Sequence, residues 1–170
     1  MMNEMSAEEM LGEIEAGLAG WLKKVGGERV DTYMVGIGLV QHRNSWVVIG
    51  GVRESADIDY EVTRHMNHLR AAQVLPGRGA WTWCRLWMDA SDGVLHQECD
   101  WMREPTFPRA SGEVRPGPRD CWSELKRFPR DDEFIPDWLR KGYEAELKRQ
   151  ERNARRREAR RRKREQERGG

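Results

Sequence analysis

The chain of 170 residues is the size of one domain, and its 35% charged and 38% hydrophobic residues are typical of a polar but folded protein. The 30 Lys and Arg residues nearly balance the 29 Asp and Glu residues, but residues 144–170 hold 12 of the basic side chains and only 6 of the acidic ones. No apolar run approaches the ~20 residues that cross a bilayer, and the acidic start of the chain is unlike a signal peptide. Three cysteines are too few for a disulfide framework. We therefore expect a soluble, cytoplasmic protein without membrane contact.

The first part of the chain predicts a helix followed by a β-hairpin. Ser6 and Glu9 form a capping-box pattern, and apolar residues then recur at helical spacing over residues 7–25. Over residues 30–52 the apolar spacing changes to two, which is typical of strands. The polar stretch 42–45 indicates the turn between the two strands.

A second helix and a second hairpin follow. Helical spacing over residues 57–75 ends at a Pro-Gly pair, and Asp92-Gly93 marks a tight turn between two further strands. The order of elements predicts an α+β fold, in which an antiparallel sheet of two or more hairpins has helices packed on one face. In the first strand of this hairpin, alternation places four bulky side chains on one face: Trp81, Trp83, Arg85 and Trp87.

The last third of the chain predicts a loop, a short helix and a tail, in that order. Residues 102–120 contain four prolines and two glycines and predict an irregular loop, with one or two helical turns near Cys121. Pro136 is suited to the first turn of a further helix. We therefore predict a single α+β domain over residues 1–147, followed by a basic charged tail over 148–170. This tail has almost no apolar residues, so either a solvated helix or disorder is expected.

No set of residues has the pattern of a catalytic centre or a metal site. His65 and His68 share a helix face, but zinc requires two more ligands and nothing in the spacing supplies them. Cys84 lies among tryptophans in a strand and is expected to point inward, where it lacks the exposed niche of a nucleophile. Paired aspartates fit helix caps and turns. We predict no enzyme activity, no metal and no cofactor.

Two features are compatible with binding. The Trp-Arg stripe of the second hairpin has the composition of a binding hot spot, although it also fits a sheet face that lies under helices. The tail has the charge needed to contact phosphates, although interspersed glutamates and the lack of aromatic residues also fit a solvated helix. The candidate nucleic-acid-binding residues are Arg155, Arg156, Arg157, Arg160, Arg161, Arg162, Lys163 and Arg164.

Several motifs together resemble those of a known group of proteins. A Trp-led strand, the Asp92-Gly93 hairpin, the pair Asp100-Trp101 and the stretch ELKRFPRDDEFIPDWL at 124–139 resemble small immunity proteins of bacterial polymorphic toxin systems, specifically the YezG-like group. The resemblance covers residues 6–147, and the chain departs from it in its Pro-rich insertion and its basic tail.

The resemblance implies a non-enzymatic cytoplasmic protein that binds and inhibits a cognate toxin. Residues 1–143 hold 18 basic and 23 acidic side chains, a balance that favours a basic toxin such as a nuclease. The alternative is a nucleic-acid-associated adaptor that binds through the tail. The expected toxin-binding residues, together with the 102–120 loop, are Trp83, Arg85, Trp87, Asp100, Trp101 and Glu104.

Overall fold

A computed structural model describes residues 4–170, so the first three residues of the predicted domain 1–147 lie outside the described residues. It has the expected α+β architecture, with a five-stranded antiparallel sheet, a separate two-stranded hairpin and four helices. The helices are α1 (Ala7–Val25), α2 (Tyr60–Ala72), α3 (Pro118–Arg127) and α4 (Asp137–Arg168), with a short 3-10 turn at Asp132–Phe134.

The main sheet has the strand order β3-β2-β1-β4-β5, and every neighbouring pair is antiparallel. The first strands of the two predicted hairpins therefore pair with each other at the centre of the sheet. The strands are β1 (Arg29–Ile37), β2 (Val40–Ile49), β3 (Val52–Ser55), β4 (Trp83–Asp89) and β5 (His96–Asp100).

The turn of the first hairpin lies earlier than the sequence predicts. The chain reverses at Gly38-Leu39, and the polar stretch 42–45 continues within β2 as a regular part of the sheet. Gly38 has φ +55°, which glycine adopts without the strain of a side chain. Its amide donates to Oε2 of Glu124 at 2.6 Å, so a distant residue of α3 holds this turn.

The main core lies between one face of the sheet and the helices α1 and α2. Leu18 of α1 and Met66 of α2 are fully buried with Leu86 of β4, and burial of each such side chain stabilises the fold by about 1.5–3 kcal/mol. Gly17 faces Val62 of α2, where a Cβ would come within 2.6 Å of that valine. The glycine thus permits a close approach between the two helices.

A smaller core closes one end of the sheet, where α3 and the first turns of α4 pack. Part of the 102–120 segment belongs to this core and is not irregular, which corrects the prediction. It forms a hairpin of β6 (Phe107–Arg109) and β7 (Gly112–Val114), and Phe107 is buried. The segment then enters α3 at Pro118, in the first turn, where a proline costs no hydrogen bond.

The basic tail is helical. The 32 residues of α4 extend about 48 Å, because each helical residue adds about 1.5 Å. Its first turns pack on α3, and Gly142 lets the helix approach Cys121. Residues 154–170, which we call the C-terminal arm, are exposed along their whole length. No helix among the described residues 4–170 has the length and apolar character needed to span a membrane.

Candidate functional site

The face of the main sheet opposite α1 and α2, which we call the open face, presents aromatic and charged side chains in rows. On the central strands β1 and β4 these side chains are half-buried, whereas the residues that alternate with them on the helix-covered face are buried. On the flanking strands the side chains of Asn44, His96 and Glu98 are exposed. Strand alternation on paired strands places the side chains of each row side by side. The two central rows are Trp46-Asp31-Trp87-His96 and Asn44-Tyr33-Arg85-Glu98, and the next row ends with Trp83 opposite Asp100.

An ion-pair network on Asp31 forms the centre of the open face. Arg85 donates from Nη2 to Oδ1 of Asp31 at 2.6 Å, and Arg29 donates from Nε to Oδ2 at 3.0 Å. Arg29 also reaches Asp89 at 3.1 Å. The Asp31 side chain is 13% exposed and the Arg85 side chain 27%, so the carboxylate is covered while part of the guanidinium remains open to a partner.

The electrostatics of this network fix the charge of Asp31. Burial opposes ionisation, but hydrogen bonds from Arg29 and Arg85 outweigh it and hold the pKa of Asp31 below its ordinary value of 3.8. The hydrogen bond between Arg29 and Asp31 also raises the pKa of Arg29. The two arginines and the two aspartates of the network carry equal and opposite formal charges, so the network has no net charge.

Aromatic rings surround the network and are ordered by stacking. The guanidinium carbon of Arg85 lies 4.5 Å from the ring centroid of Trp87 and 5.6 Å from that of Tyr33. His96 also stacks on Trp87, with ring centroids 5.2 Å apart and an interplanar angle of 16°. These cation–π and stacking contacts hold the rings in place before any partner arrives, which reduces the entropy lost on binding.

The open face continues at both sides of this cluster. Arg103 lies over Trp83 at 4.0 Å, and Arg53 of the edge strand β3 lies over Trp46 at 4.4 Å. Each tryptophan is thus flanked by an arginine. Trp, Tyr and Arg are the residue types that most often dominate the energy of protein interfaces.

Four of the six predicted toxin-binding residues are brought together on the open face. Trp83, Arg85 and Trp87 are consecutive outward residues of β4, and Asp100 lies opposite Trp83 on β5. One oxygen of Asp100 accepts the amides of Met102 and Arg103 at 2.9 and 3.0 Å. Asp100 therefore also shapes the turn that positions Arg103 over Trp83.

The other two predicted residues lie elsewhere. Trp101 packs at the edge of the helix-covered core, and its indole donates to the carbonyl of Gly79 at 3.2 Å. Glu104 forms a two-point ion pair with Arg115 at 2.8 and 2.9 Å and so links the two ends of the β6–β7 hairpin.

Trp81 also departs from the predicted stripe. The chain bends at Thr82, and Trp81 is fully buried in the helix-covered core, where its indole donates to Gln73 at 2.9 Å. Strict alternation from Trp83 would have placed it on the open face. The stripe therefore divides into one core residue and three open-face residues, so the alternative of a sheet face under helices holds for Trp81 alone.

Sequence reasoning missed the residues that β1 contributes to the site. Asp31 and Tyr33 alternate correctly with buried residues in the sequence, but nothing local indicates that β1 pairs with β4. That pairing brings Asp31 opposite Trp87 and Tyr33 opposite Arg85. A half-buried arginine among tryptophans requires a nearby carboxylate, so Arg85 is the one residue in the sequence that indicates a partner such as Asp31.

A second charged cluster is fully buried and serves the fold. Arg70 of α2 pairs with Glu124 of α3, both at 1% exposure or less, and donates to the carbonyl of Trp81 at 2.7 Å. Arg130 donates to the carbonyls of Ala80, Trp101 and Phe134 at 2.7–2.9 Å. Because solvent does not reach these groups, they join α2, α3 and the start of β4 and are not a binding site.

The histidines and cysteines do not form a metal site among the described residues. Among residues 4–170, no three His, Cys, Asp or Glu side chains are grouped as metal ligands would be. Cys84 is fully buried, as predicted, and lies directly opposite Cys99 on the helix-covered face. Pairing with Cys99 and burial raise the pKa of the Cys84 thiol.

The arm is the second exposed feature that could bind a partner. It contains all eight candidate nucleic-acid-binding residues and Arg168, and each of them is exposed. Residues 154–170 hold 9 basic and 3 acidic side chains, whereas residues 1–153 hold 21 and 26. The molecule thus has an acidic body and a basic arm.

Comparison of this chain with models of known protein families and with curated proteins finds no match. The open face presents stacked aromatic rings and arginine side chains that remain partly exposed.

Proposed function

We propose that this protein is an immunity-type inhibitor that acts in the bacterial cytoplasm by binding a cognate protein toxin. It acts by occluding the toxin and performs no chemistry of its own. The observation that carries the proposal is the half-buried cluster of Trp83, Arg85 and Trp87 on the open face, ordered around Asp31. The motif resemblance to immunity proteins supports the same reading.

The physical basis is that of a hot-spot interface. Tryptophan and arginine side chains that are already stacked lose little conformational freedom when a partner covers them. When a partner binds, the remaining exposed surface of these side chains is removed from water. The anchors are also close enough together to be covered by one partner surface.

The charge of the body supports a basic toxin, of which a nuclease is an example. Residues 1–153 carry 5 more acidic than basic side chains, and an acidic surface attracts a basic partner and speeds their encounter. The open face itself contains several arginines, so acidic side chains of the toxin are expected opposite Arg85 and Arg103.

Co-expression tests the proposal. A toxin domain encoded beside this gene is expressed with and without the protein, and survival is scored. Survival only in the presence of the protein supports inhibition. If the protein fails to protect against such a toxin, or no toxin encoded nearby binds it in a pull-down, the proposal is wrong.

A matched pair of variants locates the interface. Trp87→Ala should weaken toxin binding by at least about 30-fold, since a hot-spot residue contributes about 2 kcal/mol or more. Tyr60→Ala removes a 72% exposed aromatic side chain from the start of α2, outside the open face, and should leave binding unchanged. Equal effects of the two changes would rule out the open face as the interface.

A further inference from the structure

We propose that the C-terminal arm binds the sugar-phosphate backbone of a nucleic-acid duplex through one stripe of arginines. This inference is independent of the proposed toxin inhibition, because it concerns a different part of the molecule. The stripe consists of Arg157, Arg160, Arg161, Arg164 and Arg168.

The spacing of these five arginines places them on one side of the helix. At 3.6 residues per turn they fall within about 100° of the helix circumference, over a length of about 16 Å. They line one continuous surface groove together with Glu165. A regular row of cations on a rigid rod suits the regular row of phosphates on a duplex.

The glutamates of the arm leave this stripe unneutralised. Glu158 lies on another side of the helix and pairs with Arg162 at 2.9 Å. Within the described chain, no carboxylate lies within salt-bridge distance of any of the five stripe arginines. Glu165 lies among the stripe arginines but forms no salt bridge with any of them, so this side of the helix keeps an excess of four positive charges. A solvated helix stabilised by its own ion pairs would instead pair its acidic side chains with its basic ones.

The position of the arm also favours an extended polyanion. Asn153 is the last residue of α4 that is not exposed, and the helix continues beyond it for about 22 Å. A free helix of this diameter fits the major groove of DNA, as continuous basic helices do in other proteins. Residues 1–153 carry 5 more acidic than basic side chains, so the arm attracts phosphates more strongly than the rest of the molecule does.

The composition of the arm selects a duplex over a single strand. Residues 148–170 include no aromatic residue, so bases have nothing on which to stack. The interaction is therefore expected to depend on charge and to be largely independent of sequence.

The test is a salt titration with the full-length protein. Fluorescence anisotropy is measured with a labelled DNA duplex of random sequence, the matching RNA duplex and the single strand. If all five arginines neutralise phosphates, log K falls with log salt at a slope of about −4.5, a loss of about 500-fold between about 50 and 200 mM salt. Tighter binding to the DNA duplex is expected, because the deep, narrow major groove of an RNA duplex does not admit a helix of this diameter.

Three full-length variants separate the stripe from net charge and from helix stability. Changing all five stripe arginines to Gln should weaken binding at least tenfold at low salt and flatten the slope, while Arg→Lys at the same positions should preserve both. The third variant removes five exposed cations elsewhere and has the same net charge as the Gln variant. Its changes are Lys23→Gln, Lys24→Gln, Arg64→Gln, Arg109→Gln and Lys141→Gln.

Several outcomes would overturn the inference. These are an absence of duplex binding at low salt, unchanged binding by the stripe Gln variant, or an equal loss in the third variant. Equal affinity for polyglutamate or for vesicles containing phosphatidylserine would show a general polyanion site instead. Circular dichroism is used to compare the helix content of all variants. If only the Gln variant loses helicity, the inference is judged from the affinity of the Lys variant and from the salt slope of the native protein.

Discussion

An arginine–carboxylate pair lies on each side of the main sheet, and the two pairs, Arg70–Glu124 and Arg85–Asp31, differ in their exposure. On the helix-covered face, Arg70 and Glu124 are fully buried and joined to backbone groups on every side. On the open face, Arg85 is stacked on Trp87 and remains 27% exposed beside Asp31. The first pair holds elements of the fold together, whereas the second keeps surface available for a partner.

The largest expected effect comes from breaking the buried pair. Glu124→Gln leaves the Arg70 charge without its partner in a site that water does not reach, and should lower the free energy of unfolding by about 3–5 kcal/mol. The matched change on the open face, Asp31→Asn, should cost about 1 kcal/mol, because Arg85 can be hydrated. Urea denaturation measures both values. Equal losses would mean that the two pairs do not differ in role.

The second comparison uses two neighbouring residues of β4 that face opposite sides. Leu86→Ala removes a fully buried side chain and should cost about 2–5 kcal/mol of stability. Trp87→Ala removes a larger but half-buried ring, and should cost less stability while it weakens toxin binding by at least about 30-fold. Thermal unfolding and toxin binding are measured on the same preparations. The contrast fails if Trp87→Ala destabilises the fold as strongly as Leu86→Ala does.

Local signals predicted the parts of the fold that depend on neighbouring residues. The capping box of Ser6 and Glu9 and the left-handed Gly26 fix α1 at the predicted limits, because each acts within one helical turn. Local signals did not predict the turn of the first hairpin. Its turn depends on Gly38 and on Glu124, 86 residues away, and a polar stretch such as 42–45 is as compatible with a strand as with a turn.

The sequence predicted only the part of the candidate site that lies on the second hairpin. Alternation within β4 identified Trp83, Arg85 and Trp87, because every second residue of a strand lies on the same face. The contribution of β1 depends on pairing between strands that are not neighbours in sequence, so Asp31 and Tyr33 were missed. Trp81 was misplaced because the bend at Thr82 interrupts the alternation that the prediction assumed.

The ion pair of the open face also predicts how stability depends on pH. The pKa of Asp31 is lowered in the folded protein, so this carboxylate stabilises the fold above its unfolded-state pKa, and the contribution is lost as pH falls through the folded-state pKa. The free energy of unfolding should therefore decrease more steeply below about pH 4 in the native protein than in Asp31→Asn. Parallel pH profiles would show that Asp31 is not held as an ion in the folded state.

The smallest expected effect concerns the border between the two faces, at the edge strand β5. Cys84 is buried in the centre of the helix-covered face, while Cys99 lies opposite it on the edge strand and is half-buried. The thiol of Cys84 lowers the pKa of Cys99, whereas burial raises the pKa of Cys121 to about 11.

Since the thiolate is the reactive form, Cys99 should be alkylated first by iodoacetamide in the folded protein. Cys84 and Cys121 should react only in denaturant, and peptide mass spectrometry after a short pulse distinguishes the three sites. Fast labelling of Cys84 would show that the helix-covered face opens at its centre. Labelling confined to Cys99 would show that this face is closed except at the strand that borders the open face.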